Sequence, residues 1–248
     1  MKISIITATY NSSKTIAETI ASIYSQKYPD IEHIVIDGKS KDNTLQIIES
    51  IPNRVSKIVS EPDKGIYDAM NKGIDLVTGD IVGILNSDDF YSSDDIISDV
   101  AGIFQKTNCD AIYGDLEYVN EINTNKVVRY WKSKEYKKGL FKTGWHPAHP
   151  TFFVKKEIYE KYGNFNLKYR IAADYEIMLR FIEKNKIKTV YLPKIMVKMR
   201  TGGASNKSLK NIIQANKECY SAWKDNGLSI SPLIFLMKPF SKIFQFVR

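Results

Sequence analysis

Asp88 and Asp89 stand side by side after the apolar run Ile81-Val82-Gly83-Ile84-Leu85 and the short link Asn86-Ser87. Adjacent carboxylates repel, and a site that holds them together relieves the repulsion with a cation. Oxygen ligands of this kind suit Mg2+ or Mn2+, hard ions that also take phosphate oxygens. The competing reading is a helix start, because Asp94-Asp95 shows the chain using aspartates in turns as well. Asp37 closes another apolar run, Val35-Ile36, where a carboxylate either accepts from a ligand N–H or hydroxyl or simply opens a turn. Asp42, further along, reads as a turn or N-cap aspartate. Asp174 begins the amphipathic stretch Asp174-Tyr175-Glu176-Ile177-Met178-Leu179-Arg180. It is either a helix cap or a general base that takes a proton from an acceptor hydroxyl. His146 and His149 lie in Trp145-His146-Pro147-Ala148-His149-Pro150. They read as metal ligands or as structural imidazoles in a proline-rich loop. Trp145 is a sugar-stacking surface or a loop anchor.

These side chains need elements that gather them. Ile3–Thr7, His33–Asp37, Val55–Ser60 and Ile81–Leu85 read as buried strands. Helical patterns over 13–26, 44–50 and 65–77 separate them, with Ile16, Ile20 and Ile23 on one stripe of the first. Repeated strand–helix–strand units with short connections predict a parallel sheet covered on both faces. In such sheets ligands sit beyond the carboxyl ends of the strands. Thr7–Asn11, Asp37-Gly38 and Asp88-Asp89 each follow a strand, so three polar clusters converge on one edge. Further strands are expected at 111–113, 126–131, 151–154, 189–192 and 196–200, and helices at 174–185 and 209–225. The expected architecture is α/β: a single domain over 1–225 with a mixed sheet, parallel in its first half (1–110), a second half (111–225), and a tail at 226–248.

Composition narrows the class. Of 248 residues, 43% are hydrophobic and 26% charged, which excludes global disorder and allows one sizeable core. The two cysteines, Cys109 and Cys219, are far apart, which fits a reducing compartment rather than a disulfide scaffold. The first residues turn polar at Thr7 and do not read as a signal peptide, and no apolar run is long enough to span a bilayer. The net charge of +8 hides a gradient: residues 1–100 hold 9 Lys/Arg against 16 Asp/Glu, and residues 180–248 hold 14 against 3. The last eighteen residues mix Leu233, Ile234, Phe235, Phe240 and Phe244 with Lys238, Lys242 and Arg248 and no acid. That pattern reads as an anchor on an anionic membrane surface, with packing on the core or on a partner as the alternative.

Several ordered segments together resemble a family 2 glycosyltransferase with the GT-A fold. They are Ser4–Asn11, Asp37–Thr44, Glu61–Gly73 and Gly79–Asp89, and later Ala172–Arg180 and Met199–Asn206. The last two are similar to a branch associated with capsule, colanic-acid or O-antigen assembly. The resemblance implies that Thr7, Tyr10 and Asp37 line a nucleotide-base pocket, with Asp37 accepting from a uracil N–H. It further implies that Asp88 holds the ribose, Asp89 ligates a divalent metal (Mn2+ or Mg2+), and Asp174 is the catalytic base. Lys64 and Asn71 border the nucleotide, and a histidine near His146 or His149 contacts the diphosphate or metal. Gly202-Gly203 before Ala204-Ser205-Asn206 reads as a loop closing over the donor or as a plain turn. This chain carries Asn86, Gly38 and Ala8 where many relatives have an aspartate, an acidic residue and a proline.

The reaction that the resemblance implies is transfer of a sugar from a nucleotide sugar, UDP-linked, to a saccharide or lipid-linked acceptor with inversion. The enzyme would be cytoplasmic and peripheral on the inner face of the membrane, working in cell-surface polysaccharide assembly. A dinucleotide-binding oxidoreductase is excluded because Thr7-Ala8-Thr9-Tyr10-Asn11 replaces the glycine-rich turn. A nucleic-acid binder fits poorly with an acidic site edge. The alternative from another class is a catalytically weak module that holds a nucleotide sugar or docks on membranes.

Overall fold

The computed structural model describes residues 1–202 and 209–230, so the Gly203–Asn206 part of the expected loop and the 231–248 part of the tail lie outside the described residues. The order is β1 (Ile3–Thr9), α1 (Ile16–Tyr24), β2 (Ile31–Asp37), α2 (Thr44–Ser50), β3 (Val55–Ser60), α3 (Ile66–Leu76), β4 (Ile81–Ile84) and β5 (Asp89–Tyr91). Then follow α4 (Ile96–Lys106), β6 (Ala111–Val119), β7 (Val127–Trp131), β8 (Phe153–Lys155), α5 (Lys156–Tyr162), α6 (Ala173–Met178), β9 (Thr189–Arg200) and α7 (Leu209–Asp225). The nine strands form one sheet in the order β3-β2-β1-β4-β8-β6-β9-β5, with β7 paired to β6. β3, β2, β1 and β4 run parallel, and β8 turns the sheet antiparallel on the far side of β4. This is the mixed α/β sheet that the sequence pattern predicts.

Alternation along the central strands sorts the core into two faces. Ile6, Ala8, Ile34 and Ile36 pack with Met70 and Ile74 of α3, together with Ile177 of α6 and Trp223 of α7. Ile3 and Ile5 face Ile23 of α1 and Ile97 and Val100 of α4. Val35, between Ile34 and Ile36, meets Ile16 and Ile20 of α1 and Ile48 of α2. Each such fully buried aliphatic side chain contributes about 1.5–3 kcal/mol. Gly83 allows the turn-over to the antiparallel half, because a Cβ there would stand 2.4 Å from the Phe153 ring.

Five elements depart from expectation. β5, α4 and α5 have no counterpart in the sequence reading. The strands expected at 189–192 and 196–200 are one strand, β9, with Pro193 inside it. Pairing with β6 shifts register between Tyr113 and Asp115, so Pro193, which has no N–H to donate, sits where the ladder is already broken. The helix expected over 174–185 is α6 followed by a π-helical turn at Leu179–Lys184.

Candidate active site

Parallel pairing brings Thr9, Asp37 and Ser60 into one row at the carboxyl ends of β1, β2 and β3. Asp37 is fully buried there. Its carboxylate accepts from the Ser40 hydroxyl (2.5 Å), the Ser40 N–H (3.0 Å) and the Ser60 hydroxyl (2.6 Å). A ligand N–H reaching Asp37 therefore has to share or displace a serine. Tyr10 is 57% exposed beside this row. Gly38 keeps the rim tight: a Cβ on it would lie 2.4 Å from Asp63 Oδ2 and 3.4 Å from the Tyr10 ring. Asp63, which sequence reasoning passed over, fixes the entry to α3 by accepting from the Gly65 N–H at 2.8 Å. Asp42 behaves as a turn residue. The Thr44 hydroxyl and the Ser13 N–H hold its carboxyl down at about 2.

The turn after β4 carries the aspartate pair. The Ser87 hydroxyl meets the Ser12 hydroxyl at 2.8 Å, joining this turn to the loop after β1. Asp88 is half-buried, whereas Asp89 is fully buried. Burial, with the charge of Asp88 adding to it, pushes the Asp89 carboxyl well above the usual carboxylate range, and Asn86 and Arg200 oppose the shift. Asp89 Oδ1 and Asn86 Oδ1 are buried oxygens with no hydrogen-bond partner. Arg200, at the end of β9, donates to the Asp88 carbonyl at 2.6 Å, pairs with Glu18 of α1 and lies over the Phe90 ring. Its part in the site was not foreseen, although Arg200 lies in the Met199–Asn206 segment.

Asp174, half-buried near the start of α6, faces this edge from the other half. Its Oδ1 accepts from the Tyr175 N–H at 2.8 Å and the Tyr67 hydroxyl at 3.2 Å. The Tyr67 hydroxyl also donates to the Ile171 carbonyl at 2.8 Å. The two regions meet at Tyr118. Arg129, Tyr118, Met199 and Asp89 form one row across β7, β6, β9 and β5. Burial raises the Tyr118 hydroxyl, Arg129 over its ring at 4.6 Å opposes, and the charges of both Asp89 and Asp174 raise it further. Tyr118 thus feels both carboxylates, though no motif spacing in the sequence marks it.

Other expected residues stand apart from the ligand edge. Thr7 is fully buried with its hydroxyl 3.0 Å from His33 Nε2, so its side chain braces β1 against β2 instead of lining a pocket. Asn71 clamps α3 to the chain at Phe165, donating to its carbonyl at 2.9 Å and accepting from its N–H at 2.8 Å. The amide is consumed by that clamp. Lys64 is exposed, and its N–H donates to Asp68 at 3.0 Å. His149 packs on Phe165, and burial lowers its imidazole against the opposing charge of Asp174. His146 packs edge-on to Trp131 and Tyr175 with Nδ1 2.9 Å from the Pro147 carbonyl. Among the described residues no three His, Cys, Asp or Glu side chains gather as a metal set. Trp145 packs against Tyr113, Tyr136 and Phe141, which makes it a loop anchor. Two cavities, of about 240 and 490 Å³, lie elsewhere, beside β3 and at the amino ends of β1 and β4. The candidate site is an open polar edge.

No helix among the described residues is long and apolar enough to cross a membrane. The profile of Glycosyl transferase family 2 matches residues 4–163. A PGL/p-HBAD biosynthesis glycosyltransferase from Mycobacterium bovis is 30% identical over 208 residues, covering 82% of this chain and 78% of the relative. Among solved structures, S. aureus TarS 1-349 in complex with UDP-GlcNAc has a TM-score of 0.71 at 19% identity, covering 97% of this chain and 73% of that one. The mannosyltransferase PcManGT from Pyrobaculum calidifontis, in complex with GDP-Man and Mn2+, has a TM-score of 0.66 at 18% identity, covering 98% and 69%.

Proposed function

Because the chain belongs to glycosyl transferase family 2, a family of sugar-transferring enzymes, we propose that it moves a sugar from a UDP-sugar to a saccharide or lipid-linked acceptor by direct displacement with inversion. The observation that carries this reading is Tyr118, which shares a strand row with Asp89 through Met199 and lies within electrostatic reach of Asp174. Inversion needs a base and a leaving-group stabiliser on opposite sides of the anomeric carbon, and in this reading Asp174 and the Asp88-Asp89 turn take those two places.

In this reading Tyr10 covers the face of the base, and Asp37 accepts its N–H in exchange for a serine hydroxyl. The residues at the aspartate pair fit a divalent cation: Asp88 reaches the surface, and the partnerless oxygens of Asp89 and Asn86 lie behind it. Asp88 and Asp89 would hold the ion, which supplies charge neutralisation to the departing diphosphate. A PcManGT complex that contains Mn2+ supports such a use of metal. Asp174 takes the acceptor proton. Both of its described hydrogen bonds fall on Oδ1, so Oδ2 is the oxygen turned to the acceptor. The transition state carries oxocarbenium character, as in glycoside hydrolysis. The basic, apolar tail supports a peripheral membrane location and an acceptor used in cell-surface polysaccharide assembly.

A donor panel tests the reading. UDP-glucose, UDP-GlcNAc, UDP-galactose and GDP-mannose are offered with Mn2+, Mg2+ or EDTA, and nucleotide release and binding are both measured. Metal-dependent binding and release with a UDP-sugar is the expected result. Preference for GDP-mannose would overturn the choice of base, and metal-indifferent release would overturn the role given to Asp88 and Asp89.

A further inference from the structure

Glu218 of α7 is a buried carboxylate, 5% exposed. Its Oε2 accepts from the N–H groups of Ile171 and Ala172, both at 2.9 Å, and its Oε1 accepts from the Arg170 N–H at 3.2 Å and the Gln214 amide at 3.0 Å. These three consecutive N–H groups belong to the turn that leads into α6, two residues before Asp174. On the other side of that turn the Tyr67 hydroxyl donates to the Ile171 carbonyl and to Asp174. α7 is held in place by Trp223, which is 1% exposed and donates its indole N–H to the Tyr175 hydroxyl at 2.8 Å.

We propose that Glu218 is a positioning residue for Asp174: its carboxylate gathers the N–H groups of residues 170–172, fixing the turn from which Asp174 projects and the charge Asp174 feels. The catalytic meaning of this arrangement rests on the reading of Asp174 as the base. The amino end of a helix carries partial positive charge that favours an ionised carboxylate nearby. Asp174 lies in the first turn of α6. Glu218 brings a negative charge to the three N–H groups that lead into that turn. Burial alone would raise the Glu218 carboxyl, but Gln214 and the three backbone donors outweigh it and hold it low, so the charge is present at neutral pH. The other titratable groups facing Asp174 are Tyr67 from α3, His149 from the loop before β8 and Tyr118 from β6, and Tyr169 also faces Glu218. Tyrosines raised by burial and a histidine lowered by it stay neutral, which leaves Glu218 as the charge among these groups that acts on Asp174 at pH 7.

The test is a carboxyl-carbon NMR titration of the full chain labelled in aspartate, with the Asp174 signal assigned by its loss in Asp174→Asn. In Glu218→Gln the amide oxygen still accepts from the turn while the charge is gone, so Asp174 should titrate lower by about half a unit or more. Glu218→Asp keeps the charge but retracts it by one methylene, and should shift Asp174 the same way by less. It also carries the test if the glutamine variant does not fold. An unmoved Asp174 titration in the folded variants, whatever their melting temperature, would overturn the proposal, because a merely structural role changes stability alone. Full UDP release by Asp174→Asn would instead overturn the base reading, and would leave the titration result standing.

Discussion

Replacing Asp89 by asparagine should make the protein more stable at neutral pH while impairing its response to metal. Asp89 is fully buried, its Oδ1 has no partner, and burial and the adjacent Asp88 raise its carboxyl well above the ordinary range. The unfolded chain gives up this proton near pH 4, whereas the folded chain retains it to higher pH. Folded Asp89 therefore binds more protons than unfolded Asp89, and stability falls as pH rises from about 4 through the raised folded value. Asparagine does not ionise and removes that loss. Each unit by which the folded value exceeds the unfolded one costs about 1.4 kcal/mol once the group ionises, which in a chain of this size corresponds to roughly 3–6 °C in melting temperature. Melting curves of wild type and Asp89→Asn between pH 4 and 8 check this, and the two should converge at the acid end. Mn2+ at a hundredfold excess over its dissociation constant should stabilise wild type by about 2.7 kcal/mol, and Asp89→Asn by much less. A variant that melts lower than wild type at pH 7, or by the same difference at pH 4 and pH 8, would refute the reasoning.

Other outcomes follow from single contacts. Gly38→Ala sets a Cβ 2.4 Å from Asp63 Oδ2, so Asp63 must swing off the Gly65 N–H. UDP affinity measured by calorimetry should fall about tenfold, the equivalent of one charge-assisted hydrogen bond. Asn71→Ala should behave differently, because it leaves the Phe165 N–H and carbonyl without their partner. It should cost about 1–3 kcal/mol in urea unfolding and leave UDP affinity unchanged; a large loss of affinity would return Asn71 to the nucleotide site. Arg200→Met removes the cation from Glu18, the Asp88 carbonyl and the neighbourhood of Asp89. Denaturant unfolding at pH 7 should show a loss of about 1–3 kcal/mol, because the Asp88 carbonyl is left without its donor.

How much was legible in the sequence depended on whether the signal was local. β1 to β4 announce themselves as continuous apolar runs because both faces of a parallel strand are buried, and the polar residues after Thr9, Asp37 and Leu85 mark the ligand edge. α4 carries a readable stripe in Ile96, Ile97, Val100, Ala101 and Phe104, directly after the turn aspartates Asp94 and Asp95. β5 has only three residues, the first of them a buried aspartate, and α5 follows β8 with no turn between them to mark its start. Pro193 argued for two strands, because its tolerance comes from a register shift in β6 more than seventy residues earlier. At the site, residue types were legible and their environments were not. Thr7 and Asn71 carry suitable polar groups, but His33 and Phe165 claim them, and only the fold sets those pairings. Tyr118, Arg200 and Glu218 act through partners in distant segments, so nothing in their own neighbourhoods sets them apart.

The role of Asp174 is tested most directly by UDP release from the preferred UDP-sugar in Asp174→Asn, with calorimetric UDP affinity taken on the same preparation. The account predicts that release falls by about a hundredfold to ten-thousandfold, the range of a lost general base, while UDP affinity stays within twofold of wild type. Release at the wild-type rate would contradict it, as would a loss of release matched by an equal loss of UDP binding.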